Sequence, residues 1–402
     1  MKIGIIGGGA SGLMSAIMAC NGKNEVTIYE KNNKCGKKIL ITGNGRCNYF
    51  NNDFTINHYN SNNIDILENI INDDNKNIIL DIFNSIGIVP RILNNYYYPI
   101  SNQSSTIQQA LITEAKLRGV KFICDTEITN ITYDNKFIIH TNSNKYYADK
   151  LVLATGSKSA PKTGSDGLGY KLAKEFGHSI ITPLPSLVQL IGNEKYFKDW
   201  AGVRSDVRVT LYENDKYVKE VSGEIQLTDY GVSGICIFQL SSKIVRGLYN
   251  KNREVIEINF LPWLDENINS YFDKRSNLLK NRSILELLDG LLNYKLVNLI
   301  LKKNRIDSNK LYSELTNLEK NKLLDDLVRF KLEIIDNKGF EFSQVTSGGI
   351  PLDEININTM ESKKQKDLYI VGELLDVDGE CGGYNLGFAW LSGILAGKDI
   401  GE

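Results

Sequence analysis

An apolar run, Ile3-Gly4-Ile5-Ile6, enters Gly7-Gly8-Gly9-Ala10-Ser11-Gly12, and a second run, Val26-Thr27-Ile28-Tyr29, stops at Glu30. The order is strand, glycine turn, helix, strand, acid, and it points to a dinucleotide-binding unit at the start of the chain. Each glycine has a separate task. Gly7 allows the tight turn, Gly9 lets backbone come close to a pyrophosphate, and Gly12 lets the helix pack tightly on the strand. The helix beginning near Ala10 and Ser11 turns free N–H groups and a positive dipole end toward phosphate. Glu30, 18 residues beyond Gly12, is placed to accept hydrogen bonds from an adenosine ribose.

A chain of 402 residues with 42% hydrophobic content can bury a sizeable core, and at roughly 100–200 residues per domain it holds two or three domains. Its net charge of −1 predicts no bulk attraction to nucleic acid or membrane, so a polyanion partner would have to use local patches. No apolar stretch is long enough for a membrane span, the N-terminus is a nucleotide-binding strand rather than a signal sequence, and a cytoplasmic protein is expected. Six cysteines (Cys20, Cys35, Cys47, Cys124, Cys236 and Cys381) are scattered without a C-x-x-C pair, and the three histidines His58, His140 and His178 are equally dispersed. Neither a disulfide framework nor a metal centre is expected.

The sheet pattern recurs twice. Lys150-Leu151-Val152-Leu153-Ala154-Thr155-Gly156 is a buried-strand run closing on glycine, and Asp367-Leu368-Tyr369-Ile370-Val371-Gly372-Glu373 repeats it near the C-terminus. Between them, Val207 to Leu211 and Val255 to Phe260 alternate with period two, as antiparallel strands do. From about 265 to 335 the period becomes helical, with capping-box patterns at Ser283/Glu286 and Thr316/Glu319 ahead of leucine stripes. Such stripes are ordinarily plain core. The expected division is a discontinuous nucleotide domain, 1–188 and 345–402, split by a β-rich insert, 189–262, and a helical part, 263–344.

A tightly held flavin is enclosed by more of the chain than a pyridine nucleotide, and two further glycine loops are available. Lys37 to Asn48 carries Gly43-Asn44-Gly45-Arg46-Cys47, and Gly372 to Gly379 is followed by Gly382-Gly383-Tyr384-Asn385. The latter precedes an apolar helix from Leu386 to Leu395, whose N-terminus could stabilise negative charge on a reduced flavin pyrimidine. The plain alternative is a turn and nothing more.

These motifs, together with Thr163-Gly164-Ser165-Asp166-Gly167, Gly223-Glu224-Ile225, Gly231-Val232-Ser233-Gly234 and Val345-Thr346-Ser347-Gly348-Gly349, are spread from residue 3 to residue 397. In them the chain resembles the BaiN/RdsA family of FAD-dependent flavoproteins. The resemblance implies an α/β fold with a discontinuous Rossmann-like FAD domain of the glutathione reductase type, and an insert with a β-barrel-like part and a helical part. It implies FAD contacts from Gly7, Gly9, Ala10, Ser11, Gly12, Glu30 and Lys31. Lys37, Lys38, Gly43, Asn44, Gly45, Arg46, Cys47 and Asn48 follow from the second loop. Ile128, Thr155, Gly156, Gly372, Glu373, Asp378, Gly383, Tyr384, Asn385 and Leu386 complete the set. For the family, NAD(P)H-dependent reduction of carbon–carbon double bonds has been proposed, including uridine to dihydrouridine in large-subunit ribosomal RNA and steps of bile-acid reduction, and so has amine oxidation. Two positions and one stretch depart from the family pattern. Asp229 stands where a histidine is usual, Ile235 where proline is usual, and Asn94-Asn95-Tyr96-Tyr97-Tyr98-Pro99 replaces a more basic stretch.

Reducing an activated double bond takes hydride from reduced flavin N5 at one carbon and a proton from a general acid at the other. Cys47 is the preferred acid. Lys31, Lys34, Lys37, Lys38 and Arg46 occupy 31–48 with no acidic residue among them, a setting that lowers the pKa of an exposed thiol. The alternative is a small buried cysteine, with Tyr384, Tyr230 or Asp229 as the acid, while His178 is expected to be structural. Cys35 and Cys47 are twelve apart with a glycine loop between, unlike a redox dithiol, and there is no second strand–G-x-G-x-x-G–helix unit. NAD(P)H is therefore expected as a transient reductant on the flavin face.

Besides the 31–48 cluster, Lys243, Arg246, Lys251 and Arg253 form an acid-free run, and Lys302, Lys303 and Arg305 follow a leucine helix. Local patches of this kind suit contact with a few phosphates; taken singly they are also what a solvated face looks like. Ribosomal RNA is the first expectation for the substrate, and a small-molecule enoyl reductase or amine oxidase the second. A non-catalytic RNA-binding flavoprotein is the third.

Overall fold

The computed structural model describes residues 1–402, which divide into two compact units: 1–185 with 343–402, and 186–342. The first unit is organised on a seven-stranded sheet. Strand β1 (Lys2–Ile6) leads into helix α1 (Ala10–Ala19) and returns as β2 (Glu25–Tyr29). Across the sheet the order is 355–356, 361–362, 368–370, 150–153, β1, β2, 121–123. The five strands from 368–370 to 121–123 are parallel, with Ile3 opposite both Val26 and Lys150, and the two short strands at the other edge are antiparallel. Ile3, Ile5, Val26, Ile28, Leu151, Val152 and Leu153 are all buried, as continuous apolar runs in a parallel sheet covered on both faces should be.

The C-terminal helix, Tyr384–Gly401, lies on α1. Its apolar run is buried nearly throughout, including Phe388, Trp390, Leu391 and Ile394. Close approach is possible because Gly393 and Gly397 recur one turn apart. A Cβ at Gly393 would come within 2.6 Å of the Ser11 carbonyl, and one at Gly397 within 2.7 Å of the Ser15 carbonyl. No helix is long and apolar enough to cross a membrane.

The second unit is built on a closed six-stranded barrel, in the order 190–192, 231–234, 216–227, 204–213, 254–259, 330–337. The period-two segments supply the strands Arg204–Glu213 and Glu254–Asn259, with Val207, Val209 and Leu211 turned inward. Both capping boxes form: Ser283 and Thr316 accept from the backbone of Glu286 and Glu319, whose carboxylates accept in return. The helical period expected to run to about 335 stops earlier. Phe330–Asn337 is the strand that closes the barrel, with Phe330, Leu332 and Ile334 buried and Lys331 and Glu333 outside. This alternation starts directly after helix Asn317–Val328, so its first turn blends with the leucine stripe before it.

Candidate dinucleotide site

The first glycine loop is shaped by backbone collisions that only glycine avoids. Gly7 has φ of +101°, and a side chain there would strike the Ala154 carbonyl at the end of the neighbouring strand. A Cβ at Gly12 would strike the Gly7 carbonyl, so this glycine sets how closely α1 lies on β1. Gly9 is different: it is the N-cap of α1, no atom lies within 4 Å of where its Cβ would be, and no side chain caps the helix. The free N–H groups of the first turn therefore have no side-chain cap, and the backbone at Gly9 is open to close approach by a ligand.

Glu30 is buried at the end of β2. Its Oε2 accepts the Gly8 N–H at 2.8 Å, and its Oε1 accepts the Asn32 N–H at 2.8 Å and Asn32 Nδ2–H at 2.7 Å. These bonds fix the carboxylate beside the loop. Lys37 Nζ donates to Asn32 Oδ1 at 3.0 Å, and Lys31 pairs with Asp166 at 2.6 Å. Thr126 N–H bonds the Glu30 carbonyl at 2.9 Å, and Ile128 begins the next strand as a buried side chain. Thr155 and Gly156 follow strand Lys150–Leu153, with Gly156 at φ of +72°.

The later glycine loops converge on the start of the C-terminal helix. Lys38 and Glu373 pair at 2.6 Å across 335 residues, tying the second loop to the 372–379 loop, and Gly372 N–H is held by Ser392 Oγ at 3.0 Å. Asn385 grips Gly379 from both sides: its Oδ1 accepts the N–H at 2.8 Å and its Nδ2 donates to the carbonyl at 2.7 Å. Asp378 is buried and accepts from Asn60 at 3.4 Å. Gly383, at φ of +96°, is the N-cap of this helix, which also lacks a side-chain cap. A Cβ at Gly383 would sit 2.7 Å from the Phe50 carbonyl and 3.1 Å from Asn48 Oδ1. That Asn48 oxygen is buried with no hydrogen-bond partner, and Leu386 is half-buried on the helix just beyond.

His58 belongs to this region, and the sequence held no signal for it beyond one dispersed histidine. Its ring stacks on Tyr384, with centroids 4.3 Å apart at 17°; Nδ1 faces Glu380 Oε2 at 3.0 Å and Nε2 faces Asp53 Oδ2 at 2.9 Å. Burial alone would lower its pKa, but hydrogen bonds to the Glu380 and Asp53 carboxylates outweigh that and raise it. The Tyr384 phenol is itself buried, which raises its pKa.

Cys47 is not the exposed, activated thiol expected. It is fully buried, and burial pushes its pKa up to about 12, opposed only by a hydrogen bond with Thr42. Four of the nearby cations are engaged elsewhere: Lys31, Lys37 and Lys38 have the partners given above, and Arg46 lies over the Tyr98 ring, 5.3 Å from its centroid. Gly43, Asn44 and Gly45 are all left-handed and exposed, a reversal that turns Cys47 inward. His178 is structural, as expected, with Nδ1 2.8 Å from Glu354 and Nε2 2.7 Å from Ser362. Asp229 and Tyr230 belong to the second unit, where the Tyr230 ring packs under Lys338 Nζ at 4.4 Å. Part of the expected basic surface is neutralised locally. Arg253 is paired with Asp215 at 3.0 Å and Glu333 at 3.4 Å, Lys302 with Asp199 at 3.0 Å, and Lys303 with Asp326 at 2.5 Å.

The two uncapped helix N-termini, the open space at Gly9 and the unpartnered Asn48 oxygen fit FAD. The cofactor brings anionic oxygens for the helix ends and an N–H for an orphaned carbonyl. A sequence profile of the HI0933-like protein Rossmann domain matches residues 1–399. The chain is 36% identical over 405 residues to the 3-dehydro-bile acid delta(4,6)-reductase of Clostridium scindens, covering 100% of this chain and 99% of that one. It is 28% identical to the ribosomal RNA dihydrouridine synthase of Haemophilus influenzae, covering 98% of this chain and 97% of the other. Among solved structures, the 3-ketosteroid-delta4-(5alpha)-dehydrogenase of Rhodococcus jostii superposes with a TM-score of 0.51 at 13% identity, over 100% of this chain and 96% of that one. At that identity it shows the fold alone.

Proposed function

The chain belongs to the HI0933-like Rossmann family of FAD-dependent oxidoreductases, and from this premise we propose that it reduces a carbon–carbon double bond conjugated to a carbonyl, with NAD(P)H as electron donor. The relatives' names share that chemistry. A 3-dehydro bile acid unsaturated at positions 4 and 6, and the uracil ring of uridine, both carry an alkene in conjugation with a C=O. Of the two, a small-molecule enone is preferred. The observation that carries this choice is the pairing of Arg253, Lys302 and Lys303 with Asp215, Glu333, Asp199 and Asp326, carboxylates that a phosphate would have to displace at those three cations. Full-length identity of 36% to the bile-acid reductase points the same way.

When bound, FAD supplies the two-electron relay between nicotinamide and enone. The chain's own residues bind, orient and handle the proton. The first turn of α1 would hold the pyrophosphate, and Glu30, already locked by Gly8 and Asn32, would offer its remaining lone pairs to a ribose hydroxyl. The uncapped Gly383–Tyr384 end of the C-terminal helix would offer its positive dipole end to negative charge on the reduced ring. The Lys38–Glu373 pair keeps the two enclosing loops together. Proton delivery to the substrate α-carbon is assigned to the phenol of Tyr384, the first residue of the C-terminal helix, whose ring is stacked on His58.

The test is anaerobic. Purified protein should carry FAD, NADH or NADPH should bleach it, and 3-oxo-4-cholenoic acid should restore the oxidised spectrum. Bleaching without reoxidation by the enone, alongside loss of dihydrouridine from ribosomal RNA in cells lacking the gene, would transfer the assignment to RNA.

A further inference from the structure

The stretch Asn94 to Pro99, the departure from the basic family pattern, lies between two of the glycine loops. Its residues Tyr96–Pro99 form a strand paired on one side with Phe50–Asn51 and on the other with Pro90–Leu93. Alternation sorts the side chains. Tyr97 turns into the core, edge-on to Tyr49 and Phe50 at 6.0 and 5.9 Å. Tyr96 and Tyr98 share the opposite, half-exposed face, joined in register by Asn51 and Leu93 beside Tyr96 and by Arg91 beside Tyr98.

That face abuts both loops. A Cβ at Gly382 would be 3.0 Å from the Tyr96 ring and 3.2 Å from Tyr384, and one at Gly43 would be 3.7 Å from the Tyr98 ring. Asn51 anchors the first junction: it is buried, donates from Nδ2 to the Gly382 carbonyl at 2.9 Å and accepts the Asp53 N–H on Oδ1 at 2.9 Å. At the Tyr98 end Arg46 lies over the ring, 5.3 Å from its centroid, with exposed Arg91 opposite Tyr98 in the strand pair, and neither arginine is paired with a carboxylate. The result is an aromatic and aliphatic floor about 7 Å long between the two tyrosines, with Leu93 43% exposed beside it and positive charge at one end only.

We propose that Tyr96 and Tyr98 form the substrate-recognition wall, on which a flat apolar ring enone lies with an anionic tail directed to Arg91 and Arg46. This rests on the enone-reductase reading above and adds to it the residues that select the substrate. A nucleotide fits less well, because the rim of its base needs polar partners and the floor offers only phenol hydroxyls, while a fused-ring acid matches both the apolar floor and the charged end.

The experiment is equilibrium dialysis of the oxidised, FAD-loaded protein with three probes: 3-oxo-4-cholenoic acid, its methyl ester, and uridine monophosphate. The acid should bind at least about tenfold tighter than the ester and the nucleotide. Tyr96→Ala and Tyr98→Ala should each raise its Kd about tenfold, and Tyr→Phe at either position should leave it within about twofold. Arg91→Ala should weaken the acid and leave the ester unchanged. If either alanine variant fails to fold, the ester comparison and Arg91→Ala decide without it. Equal Kd values for acid and ester, unchanged binding in Arg91→Ala or in alanine variants that retain flavin, or tighter binding of the nucleotide would each overturn the proposal. The underlying reading fails differently: wild-type protein would lack flavin, or NADH and NADPH would not bleach it.

Discussion

Replacing Cys47 separates two accounts of the site. A thiol activated by neighbouring cations would be substantially ionised at pH 8 and would be missed by the substrate when removed. The structure buries this thiol fully and moves its pKa from 9.0 to about 12. At pH 8 that shift cuts the thiolate fraction from about one in ten to about one in ten thousand, a thousandfold loss of the reactive form. Iodoacetamide labelling of the folded holoenzyme, followed by peptide mass spectrometry, should therefore modify Cys47 at least about 10³-fold more slowly than it modifies Cys47 in the denatured chain. Cys47→Ala should keep its flavin and lose only the packing of one small side chain, about 1 kcal/mol. Stopped-flow reoxidation of the reduced variant by 3-oxo-4-cholenoic acid should stay within about threefold of wild type, whereas loss of a general acid would slow it by roughly 10²–10⁴. Rapid labelling of Cys47 in the native state, or a slowing of that size, would refute the burial argument and restore the thiol as proton donor.

Gly9 and Gly12 should part company: Gly9→Val, entering open space, should keep the apoprotein's melting temperature yet lose flavin, while Gly12→Ala, which meets the Gly7 carbonyl, should lower both. Absorbance at 450 nm and a thermal melt of the apoprotein score the two. Glu254, buried opposite Glu213 in the barrel ladder with both carboxylate oxygens unpartnered, has its pKa raised to about 8, chiefly by burial and then by Glu213. Its folded-state pKa lies above the unfolded value, so its favourable contribution is full at low pH and is lost as pH rises from about 4.5 to about 8. At pH 7 the loss is about 3 kcal/mol. Glu254→Gln should therefore stabilise the protein near pH 7.5 and do little at pH 4.5; an equal change in melting temperature at both would contradict this. His178 shifts in the opposite sense for a base: burial lowers its pKa despite Glu354. The stability it lends is present above its unfolded value and declines as pH falls below about 6.5. His178→Gln should flatten the fall in melting temperature between pH 7 and pH 5, and an unchanged slope would count against it.

What could be read without the fold was local or repeated. The close packing at Gly12 and the acid closing β2 are set by neighbours within thirty residues, and the capping boxes at Ser283 and Thr316 by neighbours within three. Period-two alternation likewise announced the strands at 207–211 and 255–260, because the pleat imposes it on any half-buried strand. The strand Phe330–Asn337 escaped only because its alternation abuts a leucine stripe of another period. The remainder was decided by pairings between distant segments, for which no sequence spacing exists. Lys38 meets Glu373 across 335 positions and His58 meets Glu380 across 322. Asn48 meets Gly383 only because the second loop and the C-terminal helix fold onto one spot. Cys47 makes the same point most sharply. Its flanking cations promised a reactive thiol, but a pKa depends on what surrounds the sulfur in space, and the left-handed turn at 43–45 buries the thiol while Lys31, Lys37 and Lys38 are drawn to partners of their own.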